Sequence, residues 1–220
     1  MLDLTKGYDL TKPLILELPI DCSEDTTAIF ISEENTADRF KFFLGEVLQE
    51  KDYKLLFRFN SDENKLLEFD IIPSTFPDMI VNKNVLNILN AVCPRDFQVF
   101  PVTIKSRVGK IKFKEFVNND YYLIHILGKV DSLNYIESEF TLVDKSKPKE
   151  PGNVISPIRI RFKANCMGNI DLAKDSVILS LKIISQKLFQ ALNNADIKGA
   201  EFMPDYLCFH ERNNYPELFR

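Results

Sequence analysis

Cys208 and His210 stand two residues apart, and Glu211 follows. A thiol beside an imidazole is the raw material of an activated nucleophile, and Cys, His and Glu are all zinc ligands. Zinc, however, takes four protein ligands, or three and a water. The other cysteines, Cys22, Cys93 and Cys166, are scattered and offer no second tight pair. Neither a metal centre nor a cofactor is expected. The remaining histidine, His125, lies among aliphatic neighbours in "YYLIHIL". It reads as a core or edge-strand histidine with its hydrogen bonds satisfied rather than as a catalytic base.

Glu137 and Glu139 form the best carboxylate pair. On a strand, residues i and i+2 share a face. Acid–base work by such a pair needs one pKa raised by burial, and both sit among polar residues, as a solvated surface does. The chain contains no G-x-S-x-G, no G-x-G-x-x-G, no G-x-x-x-x-G-K-[ST] and no H-E-x-x-H. Seven glycines leave little for a phosphate cradle. Catalysis is not expected.

Recognition is better supplied. Glu33, Glu34 and Asp38 cluster in "SEENTAD" at the start of an expected first helix. Negative charge there suits the helix dipole. The same three carboxylates are the candidate contacts for a basic protein partner, because charge complementarity speeds association.

These residues must be held by a fold, and the composition allows one. Apolar residues are 45% of 220 and charged residues 27%, ordinary globular values. Eighteen Phe and no Trp make Phe the main aromatic filler. A formal charge of −4 argues against a nucleic-acid partner, which calls for a basic face. The longest apolar runs fall far short of the roughly 20 residues of a membrane helix. "MLDLTKGYDLTKP" lacks a basic start and an apolar stretch, so no secretory signal is expected. The expected location is the cytoplasm, with free cysteines.

Along the chain, 13–18 and 27–32 read as short strands, and 35–51 as a helix. Its stripe would be Phe40, Phe43, Leu44, Val47 and Leu48. The runs 53–60 and 65–72 around "SDEN" read as a hairpin. Met79 to Val81 predict a strand, Asn82 a cap, and 83–92 a helix with Val85, Leu89 and Val92 inward. A strand follows from Phe97. The middle is β-rich: 109–117, then 120–134 bent near Gly128, then 135–143. The segment 144–153 is charged, bears Pro and Gly, and reads as a loop. Ile158, Ile160 and Phe162 alternate with Arg159, Arg161 and Lys163, as in a half-buried strand.

The end of the chain restates an earlier unit. Val177 to Leu179 read as a strand, Ser180 as a cap, and Ile184, Leu188, Ala191 and Leu192 as a helix stripe. "NNADIKG" stops that helix, with Gly199 in a left-handed or tight position. Gln98-Val99-Phe100-Pro101 then lies over Glu201-Phe202-Met203-Pro204. The fold class expected is α+β: mainly antiparallel sheet flanked by about three helices, with two loosely similar strand–helix–strand units. A single domain over 1–220 is expected, and 144–153 is where a division into two lobes would fall.

The Ile-Val-Asn opening of the first unit, the Phe-x-Val-Phe-Pro-Val return, "DYYLIHILGKVDSLN" and the terminal "IKGAEFMP" together resemble one group of bacterial immunity proteins from polymorphic toxin systems, the immunity protein eleven-like group. The likeness covers about 55–207 and leaves 1–52 unmatched. It implies a cytoplasmic antitoxin that binds and blocks a cognate toxin protein, without catalysis, cofactor, nucleic acid or membrane. It also implies structural roles for Tyr122 as an anchored aromatic, Asp131 as a turn-stabilising carboxylate and Phe202 as a core aromatic. Two other classes remain open at this stage: a scaffold module, and an enzyme built on a Glu or Cys–His site.

Overall fold

A computed structural model describes residues 9, 11–17, 23–31, 39–49, 53–108, 112–116, 120–142, 144, 146–147 and 154–204. The first half contributes β1 (Leu14–Glu17), β2 (Ala28–Phe30), α1 (Arg39–Leu44), β3 (Leu55–Phe59), the one-turn helix α2 (Glu63–Leu66), β4 (Ile71–Ile72), β5 (Met79–Asn82), α3 (Lys83–Val92) and β6 (Phe97–Val108). The second contributes β7 (Lys112–Phe116), β8 (Tyr121–Ile126), β9 (Lys129–Val130), β10 (Glu139–Leu142), β11 (Val154–Arg159), β12 (Leu172–Asp175), β13 (Lys182–Ile184), α4 (Gln186–Asn194) and β14 (Glu201–Met203).

One sheet runs β2-β3-β6-β8-β5-β4, with β7 also on β6, and a second runs β14-β1-β13-β12-β9. Strands β10 and β11 form a separate pair. Pairing is antiparallel except at β3–β6 and β12–β9. The class is α+β and mainly antiparallel, as the residue pattern predicts.

The repeat is real at the level of topology. In the first unit β4 pairs antiparallel with β5, then α3 crosses to β6. Between β5 and β6 lies β8, antiparallel to both. In the second unit β12 pairs with β13, α4 crosses to β14, and β1 fills the same gap. Each is a split strand–helix–strand unit completed by a strand from elsewhere in the chain.

Equivalent polar groups fix both units. Asn82 Oδ1 accepts the Val85 N–H at 3.0 Å, and Ser185 Oγ accepts that of Leu188 at 3.1 Å. Each cap satisfies an otherwise orphan helical donor. An aspartate grips each cap: Asn82 Nδ2 donates to Asp70 Oδ1 (2.6 Å) and Ser185 Oγ to Asp171 Oδ1 (2.5 Å). The units then exchange bonds. The N–H groups of Asp70 and Ile71 donate to the Lys198 carbonyl, just past α4. Those of Asp171 and Leu172 donate to Asp96 Oδ2, just past α3.

Period-two alternation divides the apolar side chains among three clusters. On β1, Leu14 and Leu16 join α3, α4, Ile124 and Ile184, while Ile15 joins a different cluster with Phe162 and Ile183. On β5, Met79 and Val81 face the helices, while Ile80 meets a Phe-rich cluster of Phe30, Phe42, Phe57, Phe76 and Phe100. Strands β1, β5, β8 and β12 therefore bury both faces. This is why β8 and β12 carry almost no polar alternation.

Five local expectations give way. Helix α1 ends at Leu44, because Gly45 sits at φ +61°, a left-handed stop. The inward residue is Phe42; Phe40 and Val47, expected in the stripe, are 66% and 63% exposed. The hairpin around "SDEN" is absent. Asp62 instead caps α2 by accepting the Lys65 N–H, and β3 pairs with β2 and β6. Residues 177–179 are not a strand and Ser180 is no cap. Asp175 Oδ1 takes the N–H groups of Val177 and Ile178, making a turn, and the repeat's strand and cap lie at β13 and Ser185. The run 120–134 divides between two sheets as β8 and β9. Ile160 and Phe162 are buried as expected, but beyond the end of β11. Gly199 holds the left-handed conformation expected of it, at φ +93°.

Candidate functional site

Helix α1 has only six residues, too few to persist on propensity alone. Tertiary contacts hold it and the irregular residues after it. The Phe42 ring packs edge-on against Tyr53, Phe76, Phe100 and His125, with centroids 4.8–5.5 Å away. Lys174 Nζ donates to the Phe42 carbonyl at 2.8 Å. His125 Nε2 lies 2.7 Å from the Glu46 carbonyl. Gln98 clamps Leu48 twice, accepting its N–H at 2.9 Å and donating to its carbonyl at 3.0 Å. Arg39 donates to the Thr75 carbonyl and lies over the Phe30 ring.

Under this segment sits a charge cluster closed to solvent. Asp78 Oδ1 is 2.6 Å from Lys174 Nζ, and Asp78 Oδ2 is 2.7 Å from His125 Nδ1. The three side chains are fully buried. Buried charges persist only when paired and hydrogen-bonded, and here each has a partner. Nearby, burial pushes the half-buried Lys182 amine below its ordinary range, and the Lys174 charge adds to this while Asp78 opposes it.

An Asp–His pair invites a catalytic reading, but its wiring is structural. A backbone carbonyl can only accept, so His125 Nε2 must carry a hydrogen and give it to Glu46. The other nitrogen is held by the Asp78 carboxylate. Neither nitrogen presents a lone pair to a substrate, as a general base must. The expectation of a satisfied core histidine holds.

The other candidates fall in different places. Glu33, Glu34 and Asp38 lie outside the described residues, immediately before α1 in the chain. Cys22, Cys208, His210 and Glu211 lie outside them too. Among the described residues, Cys93 and Cys166 are free thiols, and no three His, Cys, Asp or Glu side chains gather as metal ligands. Burial raises the Cys93 thiol to about 12 and the Cys166 thiol to about 11, which suppresses the reactive thiolate. Glu137 and Glu139 do not share a strand: Glu137 lies in a turn, Glu139 opens β10, and both are exposed.

Of the three residues assigned by resemblance, one keeps its role. Phe202 is half-buried, 5.3 Å edge-on from Phe189 beside the helix core. Tyr122 is half-buried, and its neighbour Tyr121 is the anchored aromatic, its hydroxyl donating to the carbonyls of Leu66 and Phe69. Asp131 is exposed and pairs with Lys163 at 2.7 Å. The turn-stabilising carboxylate is Asp175, whose oxygens accept from Ser132 N and Oγ, Val177 N and Ile178 N. Sequence reasoning missed Asp78, Lys174 and Asp175. The available signal was a charge set inside an apolar run, as in "PDMIV" and "DLAKDSVIL".

Among the described residues no helix is long and apolar enough to cross a membrane. No curated protein matches the chain. The model of an immunity protein family does match, over residues 17–205. That span takes in β2 and α1, so the family extends into the segment 1–52 that the resemblance left unmatched. With most of its length matched, the chain belongs to the immunity protein family (Imm11).

Proposed function

We propose that the chain is a cytoplasmic antitoxin that binds its cognate toxin and neutralises it by contact, without catalysis or cofactor. Membership of the immunity protein family carries this reading. The geometry supports it in a second way. The α1 segment is short, yet pinned from below by Lys174, His125 and Gln98, and it turns Phe40 and Val47 outward. A pinned surface loses little conformational freedom when a partner docks. Glu33, Glu34 and Asp38 precede it in the chain and supply charge for a basic toxin face. A stable complex of this kind buries about 1,600 Å² or more. Strands of both sheets share the helix core, which supports treating 1–220 as one binding unit.

Co-expression with the protein encoded beside it, as the candidate toxin, tests the reading. Restored growth is the expected result; failure to rescue, with both proteins present and folded, overturns it. Reversing Glu33, Glu34 and Asp38 to Lys tests the contact assignment. Rescue and affinity both unchanged by that triple substitution would remove these residues from the interface.

A further inference from the structure

We infer that folding traps a proton between Asp78 and His125, and that this proton latches the α1 segment to the body of the protein. Its loss frees the Glu46 carbonyl and loosens the chain after Gly45.

The observation is that the His125 ring lies between two acceptors. Nε2 is 2.7 Å from the Glu46 carbonyl, and Nδ1 is 2.7 Å from Asp78 Oδ2. A carbonyl oxygen has no hydrogen to give, and neither has an ionised carboxylate. A neutral imidazole carries one N–H and one lone pair. Either neutral tautomer therefore turns a lone pair against an oxygen at hydrogen-bond distance. The imidazolium, a donor at both nitrogens, satisfies both contacts. The other arrangement puts the proton on Asp78. It is disfavoured because Asp78 Oδ1 already accepts from the Lys174 ammonium at 2.6 Å and from the Ile126 N–H at 3.3 Å, bonds that favour the carboxylate.

The groups packed around the ring come from several elements. His125, Asp78 and Lys174 are fully buried, and Phe42 and Phe100 cover the imidazole with centroids 4.8 and 6.3 Å away. Lys174 on β12 stands opposite Lys182 on β13, which also feels Asp78 and the Glu17 carboxylate of β1. From β6 comes the uncharged Gln98, opposite His125 in register, and from β9 Lys129 lies against Gly45. The Glu46 residue is exposed, and its carbonyl is what reaches the ring. The three lysines oppose an added positive charge, so the two short bonds are what hold the proton.

Without that proton one hydrogen must serve two acceptors. A bond to a carboxylate is charge-assisted and roughly twice as strong as a neutral one. The remaining N–H stays with Asp78, and the Nε2 lone pair then faces the Glu46 carbonyl. The segment is left to the Lys174 bond at Phe42 and the Gln98 clamp at Leu48. Because it turns Phe40 and Val47 outward, the proton governs how firmly that face is held.

The test uses the full chain carrying His210→Gln, which leaves His125 as the single histidine, labelled with nitrogen-15 in its ring. At pH 7 both ring nitrogens are expected to show an attached hydrogen. As pH rises, Nε2 loses its hydrogen, and amide exchange at residues 45–48, corrected for its own base catalysis, quickens over the same range. Asp78→Asn supplies an amide N–H to Nδ1 and keeps an oxygen for Lys174. In that variant His125 is expected to be neutral at pH 7, with hydrogen on Nε2, and the pH-linked loosening is lost. A lone pair on Nδ1 of the Asp78 chain at pH 7 overturns the inference, and this spectrum decides the matter even where Asp78→Asn fails to fold. Exchange at 45–48 that ignores the loss of the proton overturns the latch.

Discussion

Lys174 Nζ lies 2.6 Å from Asp78 Oδ1 and 2.8 Å from the Phe42 carbonyl, so one buried ammonium joins the second sheet to the segment that carries α1. Removing one partner of such a pair strands the other charge. Asp78→Ala and Lys174→Met should each cost about 3–5 kcal/mol. The double substitution Asp78→Ala with Lys174→Met should cost clearly less than the sum, because the carboxylate and the ammonium are then removed together. Urea unfolding of the four proteins measures this. Additive costs would show that the pair is not coupled.

Two phenylalanines two residues apart should behave in opposite ways. Phe42→Ala empties a cage of four rings and should destabilise by about 3–5 kcal/mol. Phe40→Ala, at a site 66% exposed, should change stability by about 0.5 kcal/mol or less. Thermal or urea denaturation separates them, and equal losses would restore the stripe expected from sequence.

The crossed clamps predict where the fold opens. Asp96→Ala removes the acceptor for the Asp171 and Leu172 N–H groups and leaves the Asn82 cap untouched. Hydrogen exchange should quicken at Asp171 and Leu172 and stay slow at Val85. Asn82→Ala and Ser185→Ala should each cost about 1 kcal/mol as lost caps.

Stability should fall on the alkaline side. Burial first, and the nearby carboxylates second, raise the Tyr121 hydroxyl from 10.0 to about 12. Its proton makes both bonds to Leu66 and Phe69. A folded-state pKa above the unfolded value gives stability that is complete below pH 10 and is lost as pH climbs towards 12. Cys93, raised from 9.0 to about 12, adds a loss of the same sign that begins near pH 9. Tyr121→Phe should flatten the decline above pH 10. An unaltered alkaline limb would remove Tyr121 from the account.

The sequence and the structure agree where one local signal is enough. A polar cap and an apolar stripe placed α3 within its observed limits, because Asn82 and Val92 lie within ten residues of one another. Gly199 was legible for the same reason. Helix α1 was not. Its apolar residues fit a long helix, and only the approach of Gly45 to Ile126, with Lys174 and His125 below, sets the shorter segment. The second unit's cap fell five residues out of place because Val177 to Leu179 look like a strand until Asp175 folds them into a turn.

By itself the sequence determined the α+β class, the buried histidine, the repeated unit and the immunity family. All of these are carried by residue type and order along the chain. The tertiary structure alone decided that the repeat is two split units clamped crosswise, that Asp78 and Lys174 meet across the sheets, and that His125 stands between Asp78 and the Glu46 carbonyl. Those relations join residues tens of positions apart, and a periodic pattern of apolar side chains holds no information about which distant charge will be folded against it.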